Sequence, residues 1–584
     1  MATLHAQLLE RLAAAVLPHF PEANIQLSPT ANPQFGDYQT NVAMTLAKAA
    51  RCNPREVAAG IVARFVSDAL TAPPEIAGAG FINFRLLPEA LHAAFARLAV
   101  DPRLGVNTPA RQKQFVIDFS SPNVAKPMHV GHIRSTILGD ALARIAEYLG
   151  HRVVRDNHIG DWGTQFGMLL HGWKTVLNRD ALQADPLAEM ERVYKLISAQ
   201  TRENPAVLTA VRQELVLLQN GDATNQALWQ EMIRLSQNQF DTIYGRLGVR
   251  FDVSLGESFY NPWLRDIVEE LRANGLARES EGAICVFSDR TLPEKEDPFL
   301  IKDENGWRDN PALIQKSDGA ANYTTTDLAT LRYRLDTWSP DEIIYVTDGR
   351  QQQHFRQLFA IQQRWKPHTS VKLAHVWFGS ILGDDGKPFK TRSGETIKLT
   401  DLLDEAVERA GALVLAKNPD LPELEAREIG RIIGLGSVKY ADLLPNRQSD
   451  YVFSWEKMLS LQGNTALYLQ YSYVRIRSIF RKLEGAWSAT DSILPFTEIA
   501  EINLARKLLQ FGEVLPGILD DHRPNLLANY LYELASLFHS FFEACPVLKA
   551  GGESREVRLR LCDTTSRILK TGLDLLGIGV PEKM

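Results

Sequence analysis

The sequence predicts a multidomain α/β protein, on three observations. The chain has 584 residues, and with about 150 residues per domain as a prior, three to four domains are expected instead of one core. The middle of the chain alternates short β-rich runs with polar loops and helical patterns, which is an α/β texture. Towards the C-terminus the strand signal fades and 3.6-residue periodicity takes over, which argues for an all-α end.

Composition bounds the class. Hydrophobic residues make up 45% and charged residues 23%, which fits a soluble globular protein and speaks against disorder, collagen or a membrane protein. No apolar run reaches the ~18 residues needed to span a bilayer. The start "MATLHAQLLERLAAAVL" has no basic leader and no small-residue cleavage site, so it reads as an amphipathic helix and a cytoplasmic protein is expected. Cys52, Cys285, Cys545 and Cys562 are too scattered for a CxxC pair or a disulfide framework and read as buried thiols. No His and Cys cluster has metal-ligand spacing, so no protein-held metal is expected. A net charge of −6 and a pI near 6.2 give no global nucleic-acid signal, so such a partner would meet local basic surface.

Residues 1–108 read as a small α+β unit: amphipathic helices, the strand-like "GFINFRL", and a turn-rich link through "DPRLGVNTPA". From 109 to 400 the texture is α/β, with "FVIDF", "RVV", "EIIYV" and "HVWFG" as strand candidates and long helical insertions from 180 to 248. Residues 401–584 read as helical, with "LLANYLYELASLFHSFFEAC" the strongest example.

The first chemical signal is "SSPNVAKPMHVGH". It follows the strand "FVIDF" and opens a helix whose inner stripe is Ile133, Ile137, Ala141, Ile145 and Leu149, closed by Gly150. His129 and His132 then fall at the first turn, on one face. A helix N-terminus offers free N–H groups and positive dipole to phosphate oxygens, Gly131 leaves room for a ligand, and Lys126 adds a cation. Two surface histidines on an ordinary βαβ unit are the plain alternative. No GxGxxG or GxxxxGK[ST] loop is present, so neither a dinucleotide site nor a P-loop is indicated.

His129-Val130-Gly131-His132 resembles the His-Ile-Gly-His signature of class I aminoacyl-tRNA synthetases, and "SSPNVAKPMHVGHIRSTILGDALARI" with "NHIGDWGTQFGML" resembles the arginyl enzymes. The resemblance implies a Rossmann-like catalytic domain, an N-terminal tRNA-contacting domain and a helical anticodon-binding domain. It implies ATP, L-arginine and tRNA(Arg) as substrates, Mg²⁺ with the ATP, no permanently bound cofactor and a monomer. His158-Ile159-Gly160 copies part of the signature but continues with Asp161, and the catalytic role is given to 129–132.

A second string, "HVWFGSILGDDGKPFKTRSGET", stands where the family places its mobile Lys-Met-Ser-Lys-Ser loop over the pyrophosphate end of ATP. Lys387, Lys390 and Arg392 are its cations, and more than one alignment register leaves open which of them stabilises the leaving group; standing alone, the string reads first as a solvated basic loop. Lys126 shares that duty by resemblance. Asp118, Asn123, Tyr323, Asp327 and Gln351 match positions that bind arginine in the family. Chemistry agrees, because a guanidinium needs acids and carbonyls around its planar fork of donors. Asp327 could instead cap a helix from three residues after Thr324, and Asp118 could accept N–H bonds within the SSPN turn.

"YLQYSYVRIRSIFRK" places Tyr468, Tyr471 and Arg475 on one helical face, stacking platforms beside a cation that suit an RNA loop, although taken alone the stretch reads first as a helix packed by its aromatics with a solvated basic side; resemblance is what points these three residues to the anticodon loop. Resemblance adds Asn464 and Met584 as anticodon-loop residues, and likens "NPQFGDYQTN" to the family's contact with the outer corner of tRNA. A class I synthetase for another amino acid is the runner-up, against which the pocket acids argue. A catalytically silent tRNA-binding relative is the alternative of a different class.

Overall fold

The computed structural model describes residues 3–30, 32–389, 397–483 and 485–584. Its centre is a five-stranded, all-parallel sheet formed by β1 (Gln114–Asp118), β2 (Arg152–Asn157), β3 (Val253–Ser254), β4 (Glu342–Tyr345) and β5 (Lys372–His375). The strands run in the order β3-β2-β1-β4-β5, with Asp118 level with both Asp156 and Tyr345. Order reverses between β1 and β4, so a crevice opens at the carboxyl ends of these two strands, where such sheets bind ligands. Phe115, Val116 and Ile117 of β1 are buried because helices cover both faces.

The crossover helix α1 (Val130–Leu149) lies between the sheet and the C-terminal helices. That position buries almost its whole circumference, polar Arg134, Ser135, Thr136 and Asp140 included. Gly150 ends it with φ of 99°, the left-handed cap that glycine adopts without penalty. On the other face of the sheet, α2 (Tyr323–Trp338) and α3 (Gln352–Trp365) pack on Val116, Ile343 and Tyr345.

The expected strand at "HVWFG" is displaced: β5 ends at His375, and residues 376–379 run on as loop. The displacement has a polar cause, since backbone carbonyls here serve arginine side chains. Arg447 donates to Trp377 O at 2.6 Å and Arg134 donates to Gly379 O at 2.8 Å.

The N-terminal residues form a four-stranded antiparallel sheet with helices and a core of their own. The C-terminal end is helical and includes α4 (Glu423–Leu443), α5 (Ala466–Arg481), α6 (Phe511–Asp521), α7 (Asn525–Ala544) and α8 (Gly552–Leu575). Its core is continuous with that of α1 and one face of the sheet. A buried ion pair, Arg134 to Asp442 of α4 at 2.8 Å, joins the two parts. Cys285, Cys545 and Cys562 are buried as expected, but Cys52 is exposed. Among the described residues no helix is long and apolar enough to cross a membrane.

Candidate active site and tRNA-facing surface

The loop between β1 and α1 is tightly held. Ser120, Ser121 and Ala125 adopt φ of 72°, 46° and 62°, a region that non-glycine residues occupy only when their surroundings dictate it. Here the surroundings do: Ser120 N donates to Ser135 Oγ at 2.8 Å, and Ser121 N donates to Asn157 Oδ1 at 3.1 Å. The loop delivers His129 as the N-cap of α1, with φ −120° and ψ 171°.

The two histidines cap the helix reciprocally. Gly131 N–H donates to His129 Nδ1 at 3.0 Å, and His129 N–H donates to His132 Nδ1, also at 3.0 Å. This is a capping box with imidazoles in place of Ser and Glu. Both Nδ1 atoms accept, so both rings are neutral and carry their proton on Nε2. Burial keeps them neutral: it lowers His132 to about 3, and burial, then Arg350 and Lys126, lower His129. A Cβ on Gly131 would meet His129 Cε1 at 2.8 Å. The space that glycine leaves is therefore taken by the His129 ring, not held open for a ligand.

Lys126 is exposed, with its ammonium 5.2 Å from the ring centroid of Tyr194 on the inserted helix Pro186–Glu203. The second string is anchored at both ends. Ile381–Leu382 pairs in parallel with Tyr451–Val452, and Phe389 stacks on Phe453 with centroids 4.5 Å apart. At the far end Lys398 bridges His129, Val130 N–H donates to Ile397 O at 3.0 Å and Leu399 N–H donates to Met128 O at 2.9 Å. Lys387 lies near the entry; Lys390 and Arg392 lie outside the described residues.

Of the expected pocket residues, Asp118 ends β1 and is engaged in an unexpected way. Its Oδ2 accepts from Arg334 Nη2 at 2.7 Å and its Oδ1 accepts from Ser121 Oγ at 2.9 Å. Arg334 of α2 is fully buried and also donates to Asp156 Oδ2 at 2.9 Å. Asp118 thus already neutralises an internal guanidinium, and the backbone N–H role considered for it is not the one it takes. Asp327 does not cap: the N-cap of α2 is Asn322, and Asp327 Oδ2 lies 2.5 Å from His354 Nε2. Tyr323 packs edge-on against His354 at 4.8 Å and is 61% exposed. Gln351 closes a 3₁₀ turn after β4, and Asn123 is exposed beside Gly160.

Sequence reasoning missed Glu257. It sits in a 3₁₀ turn, Glu257–Tyr260, and interacts electrostatically with His158, Asp327 and Asp161. Its carboxylate has no hydrogen-bond donor among the described residues, and burial first, opposed by His158, raises it to about 7. His158, the decoy, has a buried Nδ1 without a partner. The stretch carries no motif, so no sequence signal could have found Glu257.

The residues expected at an RNA loop lie in the helical part. Tyr468 packs against Tyr532 and His539 of α7, and the Arg475 guanidinium lies 4.3 Å over the Phe542 ring. Tyr471 is exposed. Asn464 accepts from Tyr440 Oη and donates to Asn529 Oδ1 at 3.2 Å, while Met584 packs on a small cluster with Leu467. In "NPQFGDYQTN", Asp37 pairs with Arg506 at 2.6 Å and Tyr38 Oη donates to Glu513 Oε1 at 3.0 Å. Those two residues dock the N-terminal part on the helices, and Phe35 points outward, 52% exposed.

Family models match three segments of the chain. They are the arginyl tRNA synthetase N terminal domain over residues 2–86, the class I (R) tRNA synthetase catalytic domain over 96–455, and the DALR anticodon binding domain over 469–584. Arginine–tRNA ligases of Synechococcus sp. and Laribacter hongkongensis are each 46% identical, with 100% of both chains covered. The arginyl-tRNA synthetase structures of Plasmodium falciparum and Thermus thermophilus are 29% and 26% identical, at TM-scores of 0.83 and 0.85 and full coverage of each chain. Sheet order, signature, helical end and these likenesses agree, and the chain belongs to the arginyl-tRNA synthetases, the class I family of arginine–tRNA ligases.

Proposed function

We propose that the crevice between β1 and β4 performs the family's two steps, activation of L-arginine by ATP and transfer to the terminal adenosine of tRNA(Arg), with the following division of labour. In activation the arginine carboxylate attacks the α-phosphorus and pyrophosphate leaves, a reaction that needs positioning and charge stabilisation more than a protein nucleophile. His129 and His132, held neutral with Nε2–H free, donate to phosphate oxygens without adding charge. Lys126, Lys387, Lys390 and Arg392 meet the charge that grows on pyrophosphate. Mg²⁺ enters with the ATP, on its phosphate oxygens, as part of that substrate.

The side chain of arginine is taken by Asp327 and Glu257. Asp327 contacts His354, Glu257 feels His158, and the two acids act on one another with no Lys or Arg among their partners in the described residues; a guanidinium supplies that cation, with its donors in a plane. Asp118 contributes through the wall it builds with Arg334, and Tyr323, Asn123 and Gln351 hold the remainder of the substrate. The transfer goes to the 2′-hydroxyl, the chain works as a monomer in the cytoplasm, and residues 1–108, 109–400 and 401–584 are its tRNA-contacting, catalytic and anticodon-binding parts.

The half-buried carboxylate of Glu257 beside Asp327 is the observation that carries this reading. Arginylation of total tRNA by the purified protein, run beside the other nineteen amino acids, is expected with arginine alone. Replacing Asp327 by Ala is expected to raise the arginine KM about a hundredfold or more, the scale of a buried charge left without its partner, with tRNA affinity near normal. A matching loss of tRNA binding would overturn the assignment.

A further inference from the structure

His539 stands on α7 facing Tyr468, Ser472 and Arg475 of α5, half-buried between the two helices. Its Nδ1 is 3.2 Å from Arg475 Nη1, and its Nε2 is 3.2 Å from Ser472 Oγ. Its ring lies 5.2 Å from that of Tyr468, tilted by 30°. A guanidinium has only donors, so Nδ1 accepts. The ring proton is then on Nε2 and points to Ser472 Oγ, whose own proton goes to the Tyr468 carbonyl at 2.8 Å. One neutral tautomer satisfies all three groups, and an imidazolium satisfies fewer. Burial, then the charge of Arg475, hold the ring below the usual imidazole range, against the pull of Glu543 on its own helix. On its other side Arg475 rests on Phe542 at 4.3 Å. The guanidinium is fixed between an acceptor and a ring before any RNA arrives.

We infer that His539 is a positioning residue for tRNA binding, which as a neutral imidazole holds Arg475 and Tyr468 in the arrangement that receives the anticodon loop. The inference rests on the reading of Arg475 and Tyr468 as anticodon-loop residues. An arginine on a free stem surrenders its rotamer freedom when RNA binds, and one already held surrenders little.

Aminoacylation kinetics of the full-length protein with His539→Phe, His539→Asn and Arg475→Ala test it. The Phe variant keeps a ring and loses the acceptor, and is expected to raise the tRNA KM about tenfold, the scale of a hydrogen bond to a charged group. Its kcat and arginine KM stay at the wild-type values. The Asn variant, whose Oδ1 can take the place of Nδ1, recovers most of the loss. Combining His539→Phe with Arg475→Ala is no worse than Arg475→Ala alone, as two residues acting through one contact require. A wild-type tRNA KM for His539→Phe beside a damaging Arg475→Ala overturns the inference and leaves the anticodon reading standing. Equal damage from Phe and Asn overturns it too, by making packing the cause. A wild-type tRNA KM for Arg475→Ala overturns the anticodon reading itself, and the inference with it.

Discussion

A histidine that must stay neutral records its state in the stability of the fold. His132 has a folded-state value of about 3 against the ordinary 6.5, because burial penalises its charged form. The unfolded chain takes up a proton as pH falls below 6.5 and the folded chain refuses it, so the stability linked to this residue is complete above 6.5 and drains away towards 3. Between about pH 7 and 5.5 the wild type is expected to lose about 1 kcal/mol more than His132→Gln, read by denaturant titration. An identical acid response in both proteins would contradict the neutral assignment. The arginine inside the pocket wall makes a second point at this scale. Arg334 has partners 216 and 178 residues away in sequence, in Asp118 and Asp156. Nothing in the local sequence "LRYRL" marks it for burial, so neither its burial nor the resulting engagement of Asp118 was legible beforehand.

At the scale of elements, the strand, loop and helix that carry the signature were legible from end to end. Their signals are local: a β-branched run, a Pro- and Asn-containing loop, a 3.6-residue stripe and a terminal glycine. The aromatic run after β5 misled because Val, Trp and Phe favour strands, while its conformation is set by arginines from elsewhere. Glu257 was illegible for the same reason, its turn being tied to Asp161 through Ser258 N at 2.8 Å. The loop at Gly160 gives a test of these connections. Backbone hydrogen bonds from Val124 N to Gly160 O at 2.9 Å and from Gly160 N to Pro122 O at 3.0 Å hold two loops in register, so a Cβ at Gly160 would sit 2.2 Å from Asn123 Oδ1. Gly160→Ala is expected to turn the Asn123 side chain out and raise the arginine KM about tenfold, the scale of one lost hydrogen bond, with thermal stability nearly unchanged. On α5, Tyr471→Ala is expected to raise the tRNA KM several-fold, about the loss of one stacked base, and to leave arginine saturation alone. A shift in arginine KM instead would place Tyr471 in the packing of the helices.

For the whole molecule, the crevice between β1 and β4 and the helical end share one core and a buried ion pair, so on the proposed function a tRNA held on the helices would be mechanically continuous with α1. Arginine-dependent pyrophosphate exchange is accordingly expected to rise about tenfold to a hundredfold when tRNA is added, a coupling of ordinary size. Equal exchange with and without tRNA would refute that coupling. The docking of the N-terminal sheet on the helices has a consequence in time. Tyr38 waits for Glu513, which lies 475 residues further along the chain. At about 5–20 residues per second, synthesis leaves that interval open for roughly half a minute to a minute and a half. Throughout it Tyr38 and Asp37 are without Glu513 and Arg506, the partners they have in the finished chain. The order in which this protein is made therefore puts the docking of its first part last, after the helices that receive it have been synthesised.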